Sequence, residues 1–247
     1  MKAFSGNSVA ESNSFTTIVR KLEKFYGRPK PPQITDPVEL ILFENVAYLA
    51  NDKKRTAAFT ALKKKIGTRA EQILKASQKQ LEQITSMGGI VPELRAQRLR
   101  QIAELVHYIF NDDLEGELKK PLAQAKKALK KFPTVGEPGA EKILLFTGSY
   151  PVFALESNGL RVLLRLGFAE EKKSYSASYR AVQHALVGQL PSKCDALIAA
   201  HQLLRQHGQE LCKSTRPLCE AGCPLTTECR YYRSLTTQGR REPRLHS

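Results

Sequence analysis

The apolar positions of this chain recur at the spacing of helices, and nowhere is there a convincing strand alternation. Over 15–25 they fall on one helical face, and Gly27-Arg-Pro-Lys-Pro-Pro ends that helix. Asp36 followed by Pro37 reads as an N-cap and first-turn pair. The run behind it, 38–52, is apolar on most sides and predicts a buried helix. Residues 53–66 continue as a basic amphipathic helix with Phe59, Leu62 and Ile66 on its apolar side. Two short helices are expected at 68–76 and 77–86, the second opened by a Ser77 cap, then a loop over 87–92. Further helices are expected at 93–110, 122–131, 174–187 and 193–206. With no strand and no internal repeat, the fold class is all-α. The polar, small-residue stretch 1–13 predicts a disordered N-terminus.

Composition narrows the class of partner. The 247 residues carry a formal net charge of +15, a footprint that suits a polyanion, most often nucleic acid. No apolar run approaches the roughly 20 residues of a membrane span, and the N-terminus lacks the apolar segment of a signal peptide. A cytoplasmic protein, nucleoid-associated if bacterial, without a membrane partner and monomeric, is the expectation.

Two stretches carry chemistry. The first runs from Phe132 to Val162, FPTVGEPGAEKILLFTGSYPVFALESNGLRV. A tight turn, Phe-Pro-Thr-Val-Gly, leads into a helix that Pro138 can start, because a first-turn residue needs no N–H donor. Gly148 is the expected C-cap. Glu156-Ser157-Asn158 then precedes a second apolar helix. A turn of this kind offers main-chain N–H groups beside a helix N-terminus, which suits phosphate oxygens. The second stretch is Cys212-x6-Cys219-x3-Cys223-x5-Cys229. In a cytosolic protein such spacing favours a metal site over disulfides, and four thiolates can hold tetrahedral zinc. Cys194 stands apart and is expected to be a buried small hydrophobe.

Together these stretches resemble the endonuclease III superfamily of helix-hairpin-helix DNA glycosylases, over about residues 15–232. Phe132, Pro133, Val135 and Gly136 match the front of that family's hairpin, and Arg161-Val162 match the pair behind its catalytic aspartate. Glu156 stands where the family has the aspartate, and Pro138 where bifunctional members have a Schiff-base lysine. The family's four-iron–four-sulfur loop is Cys-x6-Cys-x2-Cys-x5-Cys, one residue shorter in the middle. His207-Gly208 and Pro224-Leu225 flank the cysteines as in the adenine-removing branch.

The resemblance implies a helical barrel domain over 36–150, an iron–sulfur domain made of 14–35 and 151–232, and a basic tail at 233–247, with DNA held between the domains. It implies a 4Fe-4S cluster on Cys212, Cys219, Cys223 and Cys229, with zinc as the alternative. It implies hydrolysis of the N-glycosidic bond of a damaged or mispaired base in double-stranded DNA, by a monofunctional enzyme lacking the lyase lysine. The alternative is a DNA-lesion-binding protein of the same fold without catalysis. Glu156 would face the sugar; its extra methylene displaces the carboxylate by about 1 Å, enough to cost roughly 100-fold in rate. Its plain alternative is a helix cap acting with Asn158. Glu44, in an apolar run, aligns with the acid that protonates adenine in that branch, and burial of a lone carboxylate favours the neutral form. The alternative is a carboxylate satisfied by a neighbouring Lys or Arg. Tyr48 and Leu49 replace that branch's glutamines, so the base pocket differs. The main chain at Thr134, Val135 and Gly136, with Lys130 and Lys131, would hold phosphate; Asn158 would stand beside the acid; and Ile90 or Val91 would act as a wedge when a base is extruded.

Overall fold

The computed structural model describes residues 14–239; the expected disorder of 1–13 and the end of the basic tail lie outside the described residues. Their regular structure is all helical, with no strand among them. Two compact units form. One runs Pro32–Val152; the other takes in the chain up to Pro31 and from Phe153 onward. The chain crosses from the second unit to the first at 31/32, four residues before the expected boundary. Among the described residues no helix is long and apolar enough to cross a membrane.

The continuous unit holds eight helices: α2 (Pro37–Val46), α3 (Asp52–Lys65), α4 (Ala70–Lys75), α5 (Gln78–Thr85), α6 (Pro92–Glu104), α7 (Leu114–Leu118), α8 (Leu122–Leu129) and α9 (Glu137–Phe146). Asp36 accepts from the Glu39 N–H and Ser77 from the Gln80 N–H, so both predicted caps form. The apolar run does not stay helical to 52. It breaks after Val46, where Leu49 takes a left-handed φ of 67° and Asn51 caps a new helix by accepting from the Lys54 N–H. An Asx cap so close to the apolar run outcompetes continuation of the helix. The 93–110 helix changes pitch, passing from α6 into a π-turn at Leu105–Ile109. Ile41, Leu42, Leu62, Ile73, Leu99 and Leu144 are fully buried in one core, each worth roughly 1.5–3 kcal/mol relative to exposure.

The discontinuous unit holds α1 (Phe15–Tyr26), α10 (Ser157–Leu166), α11 (Tyr175–Ala185), α12 (Cys194–Glu210) and α13 (Arg230–Gly239). The N-terminal helix is anchored by Phe15, whose ring meets Phe153 edge-on at 5.0 Å, and by buried Ile18 and Leu22. On α10, Leu160, Leu163 and Leu166 are buried at helical spacing, and the helix packs on α12. Helix α13 runs through Gly239, past the expected start of the basic tail at 233.

Candidate active site and metal centre

The hairpin turn between α8 and α9 is fixed from beneath. Phe132 is buried and stacked on Phe110 at 5.6 Å. Asn45, fully buried on α2, donates through Nδ2 to the Pro133 carbonyl at 3.2 Å and to the Ile41 carbonyl at 3.0 Å. Its Oδ1 accepts from Thr134 Oγ1 at 3.0 Å. Thr134 stands at φ 63°, a left-handed conformation costing a non-glycine residue roughly 1–2 kcal/mol. The hydroxyl bond to Asn45 offsets that cost and lets a threonine hold this left-handed position. A Cβ at Gly136 would meet only Pro138 Cδ, at 4.0 Å, so the backbone there stays open to a close-approaching ligand. The Val135 N–H, expected to hold phosphate, is spent inside the turn on the Phe132 carbonyl at 3.3 Å.

An acid guards this turn. Glu137, in the first turn of α9, is bonded by Lys126 at 2.8 Å and by Lys130 at 2.9 Å. Those two bonds hold its carboxyl below the usual range. Lys126 also reaches buried Glu141 at 2.5 Å; burial works against its charge, but the two carboxylates outweigh that and raise its pKa. Lys130 is therefore engaged by Glu137 rather than standing open for phosphate. Lys131 lies with its ammonium 5.4 Å from the Phe110 ring centre.

Glu44 is not the lone acid that the apolar run suggested. Its Oε1 is 2.5 Å from Lys142 Nζ, delivered by α9, and its Oε2 is 3.5 Å from Arg55 Nη1, delivered by α3. Lys142 lies four residues beyond Pro138 and shares its helix face. At the other loops, Ile90 is 75% exposed and Val91, at φ 51°, is also exposed, so neither is an ordinary core contact. Leu49, which with Tyr48 replaces the adenine-removing branch's glutamines, is 79% exposed. Buried Arg95 donates to the Tyr48 carbonyl at 2.7 Å and ties the Leu49 turn to α6.

In the discontinuous unit a line of hydrogen bonds joins Glu156 to the cysteine loop. Glu156 is the N-cap of α10: Oε1 accepts from the Gly159 N–H at 2.7 Å and Oε2 from Asn158 Nδ2 at 2.7 Å. Asn158 Oδ1 accepts from Arg161 Nη2 at 2.7 Å. Arg161 also donates from Nη2 to the Gly208 carbonyl at 2.8 Å and from Nε to the Cys212 carbonyl at 2.9 Å. A Cβ on Gly208 would sit 2.7 Å from Asn158 Cβ and from the Asn158 carbonyl oxygen, so α12 and the start of α10 touch where no side chain fits. Tyr175 borders the acid: burial, and then the charge of Glu156, push its hydroxyl up to about 12.

The four cysteines of the cluster line one pocket with His207, Arg165 and Tyr231. Burial pushes the Cys223 thiol up to about 11, with the neighbouring cysteines adding to it, and Cys219 and Cys229 rise for the same reasons. Converging thiols that raise one another fit a site where a cation or cluster compensates the thiolates. Donors already face the sulfurs. Arg165 Nη1 is 3.4 Å from Cys212 Sγ, the Tyr232 N–H is 3.5 Å from Cys229 Sγ, and His207 Nε2 is 3.7 Å from Cys223 Sγ. The Arg165 guanidinium lies 4.7 Å above the Tyr231 ring centre. Burial draws the His207 imidazole down to about 4. Among the described residues no group of three or more His, Cys, Asp or Glu stands in place to hold a metal ion. Cys194 is half-buried, with its thiol raised chiefly by burial. Arg230, at the start of α13, is paired with Glu170.

No family model matches the chain. It is 24% identical over 184 residues to endonuclease III of Sulfolobus acidocaldarius, covering 74% of this chain and 77% of that protein. Over 109 residues it is 32% identical to endonuclease III of Rickettsia conorii, 44% of this chain, and spans about half (48%) of that relative's length. Among solved structures, a trapped endonuclease III–DNA covalent intermediate superposes with a TM-score of 0.70 at 21% identity, over 90% of this chain and 99% of that one. A thermostable thymine-DNA glycosylase does so with 0.69 at 17% identity, over 92% and 100%.

Proposed function

From the premise that this chain has the fold of the endonuclease III superfamily, we propose that it is a DNA N-glycosylase that releases a damaged or mispaired base from double-stranded DNA. The observation that carries the reading is the bonded line from Glu156 through Asn158 and Arg161 to the cysteine loop. It holds a carboxylate in one orientation, as charge stabilisation at a sugar requires. N-glycosidic cleavage builds positive charge on the sugar and negative charge on the leaving base. Glu156 answers the first charge, and water completes the hydrolysis. Pro138 offers no amine, so the enzyme is read as monofunctional, with weak or absent lyase activity, although its relatives carry the name endonuclease III. Lys142 is a poor substitute nucleophile, because its ammonium is held by Glu44.

DNA is gripped by the hairpin main chain at Thr134 and Gly136 with Lys131 beside it, and exposed Ile90 enters the space that the extruded base leaves. Cys212, Cys219, Cys223 and Cys229 hold a 4Fe-4S cluster. When bound, the cluster supplies a rigid cross-link that orders the loop carrying Arg216.

A second reading has its own observation. Both oxygens of Glu156 are engaged and Glu44 is paired with two cations. That suits a protein that binds lesions without cutting the glycosidic bond. The deciding experiment is a glycosylase assay on duplexes bearing a panel of damaged and mismatched bases, developed with alkali and, in parallel, with borohydride. Base release that is lost in Glu156→Gln supports the enzyme, and a borohydride-trapped adduct overturns the monofunctional assignment. Tight binding without release on any duplex establishes the second reading. Iron and sulfide analysis of the purified protein tests the cluster.

A further inference from the structure

Two side chains, Tyr26 from α1 and His207 from α12, form a file that ends at Cys223 of the cysteine loop. The Tyr26 hydroxyl lies 3.1 Å from His207 Nδ1, and the opposite ring nitrogen, Nε2, lies 3.7 Å from Cys223 Sγ. The imidazole is 2% exposed, and its ring meets Tyr26 edge-on at 6.0 Å. A phenol that donates to Nδ1 makes that nitrogen an acceptor and puts the ring proton on Nε2. That proton faces sulfur. Two other cysteines of the set have donors as well, but of different kinds. Arg165 divides its guanidinium between Cys212 and the carbonyls of Lys213 and Ser214. The Cys229 donor is the main-chain N–H of Tyr232. Only at Cys223, among these three, does a second residue decide whether the donor has a proton to offer.

We infer that His207, locked in one tautomer by Tyr26, donates a hydrogen bond to Cys223 and thereby raises the reduction potential of the cluster that this cysteine ligates. Tyr26 is the positioning residue. The inference rests on reading the loop as a 4Fe-4S site. Reduction adds one electron, and part of its charge falls on the thiolate ligands. A donor at a thiolate sulfur stabilises the electron-rich state more than the electron-poor one, so the couple moves upward.

The test compares reduction potentials of purified, cluster-containing wild type, His207→Leu, His207→Gln and Tyr26→Phe by redox titration, with iron and sulfide measured on each sample. His207→Leu is expected to lower the reduced-to-oxidised ratio at fixed potential about tenfold, ~59 mV for one electron. His207→Gln restores most of the loss, because its amide N–H reaches the sulfur. Tyr26→Phe falls between, since the tautomer is no longer imposed. A role confined to packing moves none of these potentials. Equal potentials in all four proteins at full iron content overturn the inference and leave the cluster assignment intact. Should His207→Leu fail to hold iron, Tyr26→Phe decides alone, and an unchanged potential there overturns the inference. Wild type without iron or sulfide overturns the cluster assignment and this inference with it.

Discussion

Arg161 is the residue whose replacement tests the site most directly. Its guanidinium makes three bonds, to Asn158 Oδ1, the Gly208 carbonyl and the Cys212 carbonyl, all between 2.7 and 2.9 Å. Arg161→Lys keeps the charge and loses the planar fork, so at most one of the three survives. Each charge-assisted bond contributes roughly 1.5–3 kcal/mol, but the three share one group and do not add. A net loss of about 2–4 kcal/mol of stability follows, or ~4–16 °C in Tm for a chain of this size if it melts as one unit. The chemical effect is separate. Without Arg161, Asn158 is free to turn away from Glu156, and the carboxylate loses one of its two observed donors. A displacement near 1 Å costs about 100-fold in rate. Single-turnover base release measures that loss, and fluorescence anisotropy measures DNA affinity, which is expected to stay within about threefold. A double-mutant cycle with Asn158→Ala closes the argument: coupled side chains give an interaction energy above ~0.5 kcal/mol in the rate. Wild-type release by Arg161→Lys, or strict additivity with Asn158→Ala, refutes the idea that the bonded line orients the acid.

Asn45→Ala removes the donor bond to Pro133 and the acceptor for Thr134 that hold the hairpin turn. It is expected to cost about 1–3 kcal/mol in urea unfolding and to weaken DNA binding more than a surface change does; unchanged binding would show the turn to be self-supporting. Glu137→Gln removes the acid beside the turn and releases Lys130. DNA affinity should rise several-fold, and the slope of log K against log salt should steepen by about one unit, read by anisotropy between low and moderate salt. Glu228, 7% exposed, is bonded by Lys21 and Thr227. Burial opposes its charge, but those bonds prevail and its folded pKa lies below the ordinary carboxylate value. Its contribution is therefore present above that ordinary value and disappears as pH falls through the folded one. Glu228→Gln is expected to flatten the acid limb of a stability–pH curve below about 4.5 and to leave a roughly constant deficit above it; parallel curves would refute this.

Local signals in the sequence were read well where one stretch contains its own cause. Asp36-Pro37 and Ser77 announced helix starts, the all-α class followed from periodicity, and Gly148 takes the left-handed φ of 72° that closes α9. Asn51 was just as local and was passed over, because the apolar run around it looked unbroken. The five-residue α7, capped by Asp113, was also missed, being too short for a repeating hydrophobic pattern to show. What the sequence withheld are pairings across long separations. Glu44 meets Lys142 across 98 residues, and Arg161 meets Cys212 across 51. A carboxylate in an apolar run reads as a lone acid until the helix that carries its counter-ion is placed. Likewise Asn45, the residue that fixes the hairpin, looks like an oddity in a greasy helix until Pro133 and Thr134 arrive above it.

The contact between Gly208 and Asn158 has a mechanical consequence. With no room for even a methyl group, α12 serves as a hard stop against the first turn of α10. The spacing between cysteine loop and acid is thus set by the van der Waals radii of bare backbone, the least compressible spacer a protein possesses. Gly208→Ala would work as a shim driven into that joint, tilting the carboxylate while leaving every polar partner of the site chemically intact.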